Sequence, residues 1–397
     1  MTRVAIVGAY RTPIGKFMGA LSSVSAVELG SSVVAGLLER TGVEASAVQE
    51  VIFGQARQAG SGPNPARQIA VRAGIGEATP AFTVNKACGS SLKAIDLGRA
   101  ALLLDGRDVV VVGGMESMTN MPFLLPHMRR GYRLGHAQAL DGNYRDGFTC
   151  GILDEPMGMT AEYLADDYGI GREEQDQLAL SSHQRAESAQ AAGRFADEII
   201  PLQVKVGKQT RTVELDEHIR AGATLEKLAK LPPVFRTQAE GGTVHAGNSS
   251  GITDGAAALL LMTEDEARRR GIVPLAFVGA SATAGVAPRI MGIGPVPAIR
   301  NLCEKASWSL GEIELVELNE AFAAQAIACY RDLDLDTDRV NVNGGAIALG
   351  HPIGATGCRI VVTLLHEMRR RSVRRGLAAL CMSGGMGMAV AFENAEH

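Results

Sequence analysis

No stretch of this chain approaches the roughly 20 consecutive apolar residues that a bilayer-spanning helix needs. The start, Met1-Thr2-Arg3-Val4-Ala5-Ile6-Val7-Gly8, reads as a β-strand and not as a secretory leader. The end, Glu393-Asn394-Ala395-Glu396-His397, carries no recognisable address or lipidation motif. A strong charge of one sign is missing too: the net charge of −4 gives no global attraction to nucleic acid or to an anionic membrane. The six cysteines are scattered, with no Cys-x-x-Cys or His-x-x-x-His pair, so neither a disulfide framework nor a metal site is expected. These absences point to a reduced, cytoplasmic protein with no membrane and no nucleic-acid partner.

What is present fits a compact soluble protein. Hydrophobic residues make up 46% and charged residues 21%, and 397 residues exceed one ordinary core, so two or three domains are expected. Apolar strand candidates lie at 4–7, 51–53, 82–84, 109–112, 259–262, 275–278, 315–318, 340–342, 377–380 and 389–392. Several are unbroken apolar runs, as in sheets covered on both faces. Helical stretches lie between them, such as 92–104, stopped by Asp105-Gly106. The class is α/β.

A weak internal repeat sharpens this. Val84-Asn85 enters a helix, and a later strand runs into Gly113-Gly114-Met115. In the second half Val342-Asn343 enters a glycine-rich loop and helix, and a later strand runs into Gly384-Gly385-Met386. Residues 121–247 are more charged, lower in strand signal and broken at Leu231-Pro232-Pro233. The expected division is an N-terminal half of 1–120 plus 248–273, an inserted loop domain at 121–247, and a C-terminal half at 274–397.

The chemistry centres on Cys88, in Val84-Asn85-Lys86-Ala87-Cys88-Gly89-Ser90-Ser91. A lone cysteine is most often structural, as expected for Cys303 and Cys329. Cys88 differs because it sits where a strand turns into a helix, and a helix N-terminus favours thiolate. His351, between Gly350 and Pro352, is the candidate base. Cys381 ends a strand just before Ser383-Gly384-Gly385 and is either a core cysteine or the second group that carbon–carbon bond chemistry needs to move a proton at Cα. Asn319, in Val316-Glu317-Leu318-Asn319-Glu320-Ala321-Phe322, is either a helix cap or an oxyanion donor.

Taken together, these blocks resemble a thiolase, of the acetyl-CoA acetyltransferase type, over essentially the whole chain. The matching segments are Asn85-Lys86-Ala87-Cys88-Gly89-Ser90, Gly113-Gly114-Met115-Glu116-Ser117-Met118-Thr119, Gly247-Asn248-Ser249-Ser250-Gly251, Asn319-Glu320-Ala321-Phe322, residues 343–357 and residues 381–387. The resemblance implies a five-layer αβαβα sandwich of two similar halves. It implies condensation of two acetyl-CoA to acetoacetyl-CoA and coenzyme A, with no further cofactor. Cys88 would be the acylated nucleophile, His351 its base, and Cys381 the base at Cα. His351 with a water on Asn319 would form one oxyanion hole; the backbone N–H groups of Cys88 and Ser383 would form the other. Met157, Arg220, Phe235, Ala246 and Ser250, with Phe322, would line the coenzyme A tunnel, and a homotetramer is implied.

The pattern departs from the family's at Ser383, where glycine is usual, at Pro156, where many relatives have histidine, and at Pro232, which replaces a frequent arginine. Arg129-Arg130-Gly131-Tyr132-Arg133 is either a tetramer- or phosphate-facing loop or a solvated charge run. A broader degradative 3-ketoacyl-CoA thiolase shares all the active-site blocks. An inactive acyl-CoA- or lipid-binding relative would have no need of Cys88, Asn319, His351 and Cys381 together. A decarboxylating ketoacyl synthase would not need Cys381.

Overall fold

In the computed structural model, which describes residues 2–396, the apolar runs prove to be strands with two covered faces. In the strand Val109–Ser117, Val110 and Val112 enter one core while Val109 and Val111 enter another. The strand Thr253–Thr263 divides in the same way, with Leu259 and Leu261 on one side and Leu260 and Met262 on the other. Period-two geometry thus explains why these strands lack polar alternation.

The main sheet runs in the order Leu315–Leu318, Arg375–Met382, Met386–Asn394, Ala276–Gly285, Val4–Arg11, Thr253–Thr263, Val109–Ser117, Glu50–Gly54, Ala81–Val84. The halves meet at a seam of two residue pairs, Ala5 with Phe277 and Ile6 with Ala276. Outward from that seam both halves follow one plan: two antiparallel pairings, then parallel ones. The repeat suspected from sequence is therefore a repeat of topology.

Helices Ser90–Leu104 and Thr356–Arg371 fill the space between the two half-sheets. Their Leu92, Ile95, Ile360 and Leu364 pack with Val110 and Leu261 from one half and Leu380 and Phe392 from the other. Ala26–Thr41 and Pro65–Arg72 cover the outer face of the first half; Pro295–Ala306 and Ala323–Leu333 cover that of the second. The result is five layers, αβαβα. Each fully buried Val, Leu or Ile side chain contributes roughly 1.5–3 kcal/mol to this stack.

The two central helices approach closely at Gly357. A Cβ there would lie 2.3 Å from the backbone nitrogen of Leu92, an atom that cannot step aside. Gly357→Ala is therefore expected to destabilise the fold by about 2–3 kcal/mol through overpacking, read as a lower urea midpoint at unchanged m-value.

The expected strand at 340–342 does not form. Only an isolated parallel bridge joins Val340 to Val316. Asn341 has φ +47°, and its amide side chain takes over the pairing, accepting from Leu318 N at 2.9 Å and donating to Leu318 O at 2.8 Å. A side chain replaces the ladder, so the apolar flanks misled the sequence reading.

Between Ser117 and Thr253 lie the helices Met157–Tyr168 and Arg172–Ala191 and a hairpin, Leu202–Val206 with Gln209–Val213. The hairpin was not anticipated, because its second strand is mostly exposed and polar. The buried Arg11 guanidinium ties this region to the first strand. It donates to Glu198 at 2.7 Å and to both oxygens of Asp216 at 2.7 and 2.8 Å. Losing one partner of such a group typically costs about 3–5 kcal/mol.

Candidate active site

The turn that presents Cys88 is built by its neighbours. Ala87 adopts φ +50°, which costs a non-glycine residue roughly 1–2 kcal/mol. Asn85 Oδ1 accepts from Ala87 N at 3.0 Å; Ser90 Oγ donates to Ala87 O at 2.6 Å and accepts from Lys86 N at 2.8 Å. These bonds hold the strained turn, and the helix begins at Ser90. Cys88 is left half-buried, against Ala56, Met118 and Ile353.

Burial pushes the Cys88 thiol up and outweighs the backbone N–H groups that favour thiolate. Arg57 and the backbone N–H groups of Ser383 and Cys88 pull the other way, and Glu116 adds to the rise. Both N–H groups expected from sequence, those of Cys88 and Ser383, therefore favour negative charge at the sulfur. Serine at 383 does not remove its backbone donor.

His351 is brought to this place by three ties. Its backbone N donates to Gly251 O at 3.1 Å, Gly350 before it has φ +101° against Thr253, and Gly354 N donates to Glu116 Oε2 at 2.9 Å. Its Nδ1 lies 2.6 Å from Thr356 Oγ1, whose hydroxyl donates to Pro352 O at 3.0 Å. A hydroxyl has one proton, so the oxygen accepts from Nδ1–H and the Nε2 lone pair stays free. Nε2 is buried and makes no hydrogen bond. Burial, then Arg359 and Arg57, lower the imidazole to about 3, so it is neutral at pH 7.

Asn319 is not a helix cap: the next helix starts at Ala323 with Phe322 as its N-cap. Its backbone N donates to Ala379 O at 2.9 Å, fixing it beside the strand that ends near Cys381. Both polar atoms of its side chain are buried without a partner. Orphaned buried amides are rare, and this one is free to hold a water or a carbonyl oxygen. Cys381 is fully buried, and burial and then the neighbouring Cys88 raise its thiol well above the ordinary range.

Residues 248–251 connect these pieces. Asn248 O accepts from Ala323 N at 2.9 Å, Ser250 N donates to Ala321 O at 3.0 Å, and Gly251 O takes the His351 N–H. All six residues expected along the coenzyme A tunnel, Met157, Arg220, Phe235, Ala246, Ser250 and Phe322, line a single cleft of about 650 Å³. Phe235 packs closely against Gly158, where a Cβ would collide with its ring, and meets the Phe322 ring edge-on at 6.3 Å. Pro156 also faces this cleft, whereas Pro232 does not line it. Phe148, on the cleft wall, packs with Cys88 on the Ala56, Met118 and Ile353 cluster, so the cleft leads toward the thiol.

Sequence reasoning gave no role to Glu116 or Thr356. Glu116 ends an otherwise apolar strand and is fully buried, which was the available signal. It accepts from the backbone N–H groups of Ala56, Arg57 and Gly354, tying the Cys88 wall to the histidine segment. Burial pushes its carboxyl up to about 7, against Arg57 and those N–H groups. Among the described residues no group of three or more His, Cys, Asp or Glu could hold a metal ion.

Two thiols, a neutral imidazole with a free lone pair and an orphaned amide, with a cleft whose Phe148 packs with one of the thiols, fit an acyltransferase. Residues 4–265 match the thiolase N-terminal domain and residues 272–394 the thiolase C-terminal domain. The chain belongs to the thiolase family. It is similar to the acetyl-CoA acetyltransferase of Chromobacterium violaceum, 52% identical over 98% of this chain and 99% of the relative. That of Rhizobium meliloti is 53% identical over 98% of each. Among solved structures, the Bacillus anthracis acetyl-CoA acetyltransferase superposes with a TM-score of 0.97 at 45% identity, covering 99% of each chain. Human mitochondrial 3-ketoacyl-CoA thiolase in complex with CoA gives 0.95 at 42% identity, over 99% of this chain and 98% of that one.

Proposed function

We propose that this acyltransferase is an acetyl-CoA C-acetyltransferase, carrying out the reversible condensation of two acetyl-CoA to acetoacetyl-CoA and coenzyme A. The observation that carries the reading is the free Nε2 of His351 and the unpartnered Asn319 amide, together with two neighbouring thiols, Cys88 and Cys381. In the first half, Cys88 attacks the thioester carbonyl, His351 Nε2 takes its proton, and that proton leaves on the departing coenzyme A sulfur. The Cys88 and Ser383 N–H groups receive the oxyanion.

In the second half, Cys381, a thiol at rest, passes its proton to the free Nε2 of His351 and, as thiolate, removes a proton from Cα of a second acetyl-CoA. The resulting enolate oxygen is held by His351 and by a water on Asn319. Its carbon attacks the acetyl carbon, the bond to Cys88 sulfur breaks, and acetoacetyl-CoA forms. The proton on His351 then passes to the Cys88 sulfur, and Cys381, carrying the Cα proton, is a thiol again. Cys381 resists ionisation partly because of Cys88, so acylating Cys88 removes one obstacle to its acting as a base.

The cleft residues Met157, Arg220, Phe235, Ala246, Ser250 and Phe322 are assigned to coenzyme A. We read the halves as 1–120 with 248–273 and 274–397, and 121–247 as the segment that carries coenzyme A. Substrates are coenzyme A thioesters with no added cofactor, in a cytoplasmic homotetramer. The likeness to a 3-ketoacyl-CoA thiolase supports a second reading, with broader chain length. Thiolysis separates the two: kcat/KM for acetoacetyl-CoA is expected to exceed that for a medium-chain 3-ketoacyl-CoA by about tenfold or more. Equal or better turnover of the longer substrate would replace the first reading with the second.

A further inference from the structure

Arg57 carries a charge beside the nucleophile that none of the steps above uses. The residue is 5% exposed, and its Nε and Nη2 are buried without a hydrogen-bond partner. Among the described residues no carboxylate forms an ion pair with its guanidinium. Glu116 is committed elsewhere: its oxygens accept from the backbone N–H groups of Ala56, Arg57 and Gly354. The guanidinium is wedged against Gly147, where a Cβ would fall 1.8 Å from its carbon, and lies 5.5 Å from the centre of the Phe148 ring. Phe148 and Cys88 share one packing cluster, which Ala56, the residue before Arg57, helps to build.

An unpaired buried cation is costly, and the cost is reduced when an anion forms beside it. The groups that act on Cys88 are Arg57, Glu116, Cys381 and the backbone N–H groups of Ser383 and Cys88 itself; Arg57 is foremost among those opposing the effect of burial. On His351 the charged groups are Arg359 and Arg57, both working against a proton there. One charge thus favours the Cys88 thiolate and discourages a lasting imidazolium, so the proton is passed on to the departing sulfur.

We propose that Arg57 is an electrostatic positioning residue for the nucleophile, its unshielded guanidinium holding Cys88 closer to the thiolate form than the burial of that thiol would otherwise allow. The proposal rests on reading Cys88 as the acylated residue. It goes further in naming the charge that poises it.

The test is the pH dependence of Cys88 alkylation by iodoacetamide in the full-length protein, followed on the Cys88 peptide by mass spectrometry. Arg57→Met, which keeps the aliphatic stem, is expected to raise the alkylation midpoint by about one pH unit, lowering the rate at pH 7 about tenfold. Arg57→Lys should stay within a few tenths of a unit of the parent. If Arg57→Met does not fold, Arg57→Gln gives the same comparison. A folded Met or Gln variant with an unmoved midpoint overturns the proposal, and so does a Lys variant that shifts as far as Met. Incubation of the same proteins with radiolabelled acetyl-CoA keeps the two ideas apart. A label absent from Cys88 defeats the nucleophile reading, whereas a label on Cys88 with an unmoved midpoint defeats only the role of Arg57.

Discussion

Cys381→Ala is expected to leave acylation standing and to remove carbon–carbon bond chemistry. Exchange of labelled coenzyme A into acetyl-CoA, which needs only the first half-reaction, should stay within about threefold of the parent. Condensation and thiolysis should fall by about 10⁴, the upper range for loss of a positioned general acid–base. The reasoning is local. Cys381 sits on the strand Arg375–Met382 opposite Gly387, is fully buried, and is a thiol at rest because burial and the neighbouring Cys88 oppose its charge. Nothing in the turn that presents Cys88 depends on its sulfur. If condensation survived near the parent rate while exchange was normal, the base at Cα would have to be another group.

His351→Asn should act on the other half. Acylation by acetyl-CoA is expected to slow by about 10³, because both the proton acceptor and a donor to the developing charge are lost. The imidazole, at about 3, cannot hold a proton alone. It becomes imidazolium only while negative charge forms beside it. The same burial gives a stability signature. The folded protein binds a proton on His351 less readily than the unfolded chain, whose histidine titrates near 6.5. Its contribution is therefore complete above about pH 6.5 and is lost as pH falls through that value toward 3. His351→Asn should gain stability relative to the parent as pH is lowered from 6.5 to 4, measured as the difference in urea midpoints. A constant difference across that range would mean that His351 is not held neutral.

Much of the site was readable because it is local. Cys88 and Cys381 each lie in a short segment whose glycines and flanking apolar run declare a turn at a strand end, and His351 lies in a glycine-rich segment after a short helix. The tunnel residues came from resemblance, and their gathering along one cleft depends on the long segment between Ser117 and Thr253, whose path no periodicity reveals. Three features lay out of reach for physical reasons. Asn341 substitutes a side chain for a strand, which an apolar-run reading cannot detect. The ionisation of Cys88 is a balance between burial and charges from elsewhere in the chain, and a helix start reveals only the backbone N–H share of it. Arg57 and Glu116 matter through contacts: Gln55-Ala56-Arg57-Gln58 carries no signature, and Gly114-Met115-Glu116-Ser117, though part of a family-matching block, does not say what its carboxylate holds.

The central claim is that a single acetyl group rests on Cys88 before any carbon–carbon bond is made. Acid-quenching the protein seconds after mixing with acetyl-CoA, then mapping the modified peptide, tests it directly. One acetyl group on Cys88 is predicted in the parent and in Cys381→Ala, and none in Cys88→Ala. An acetyl group found on Cys381, or a stoichiometric adduct persisting in Cys88→Ala, would contradict it.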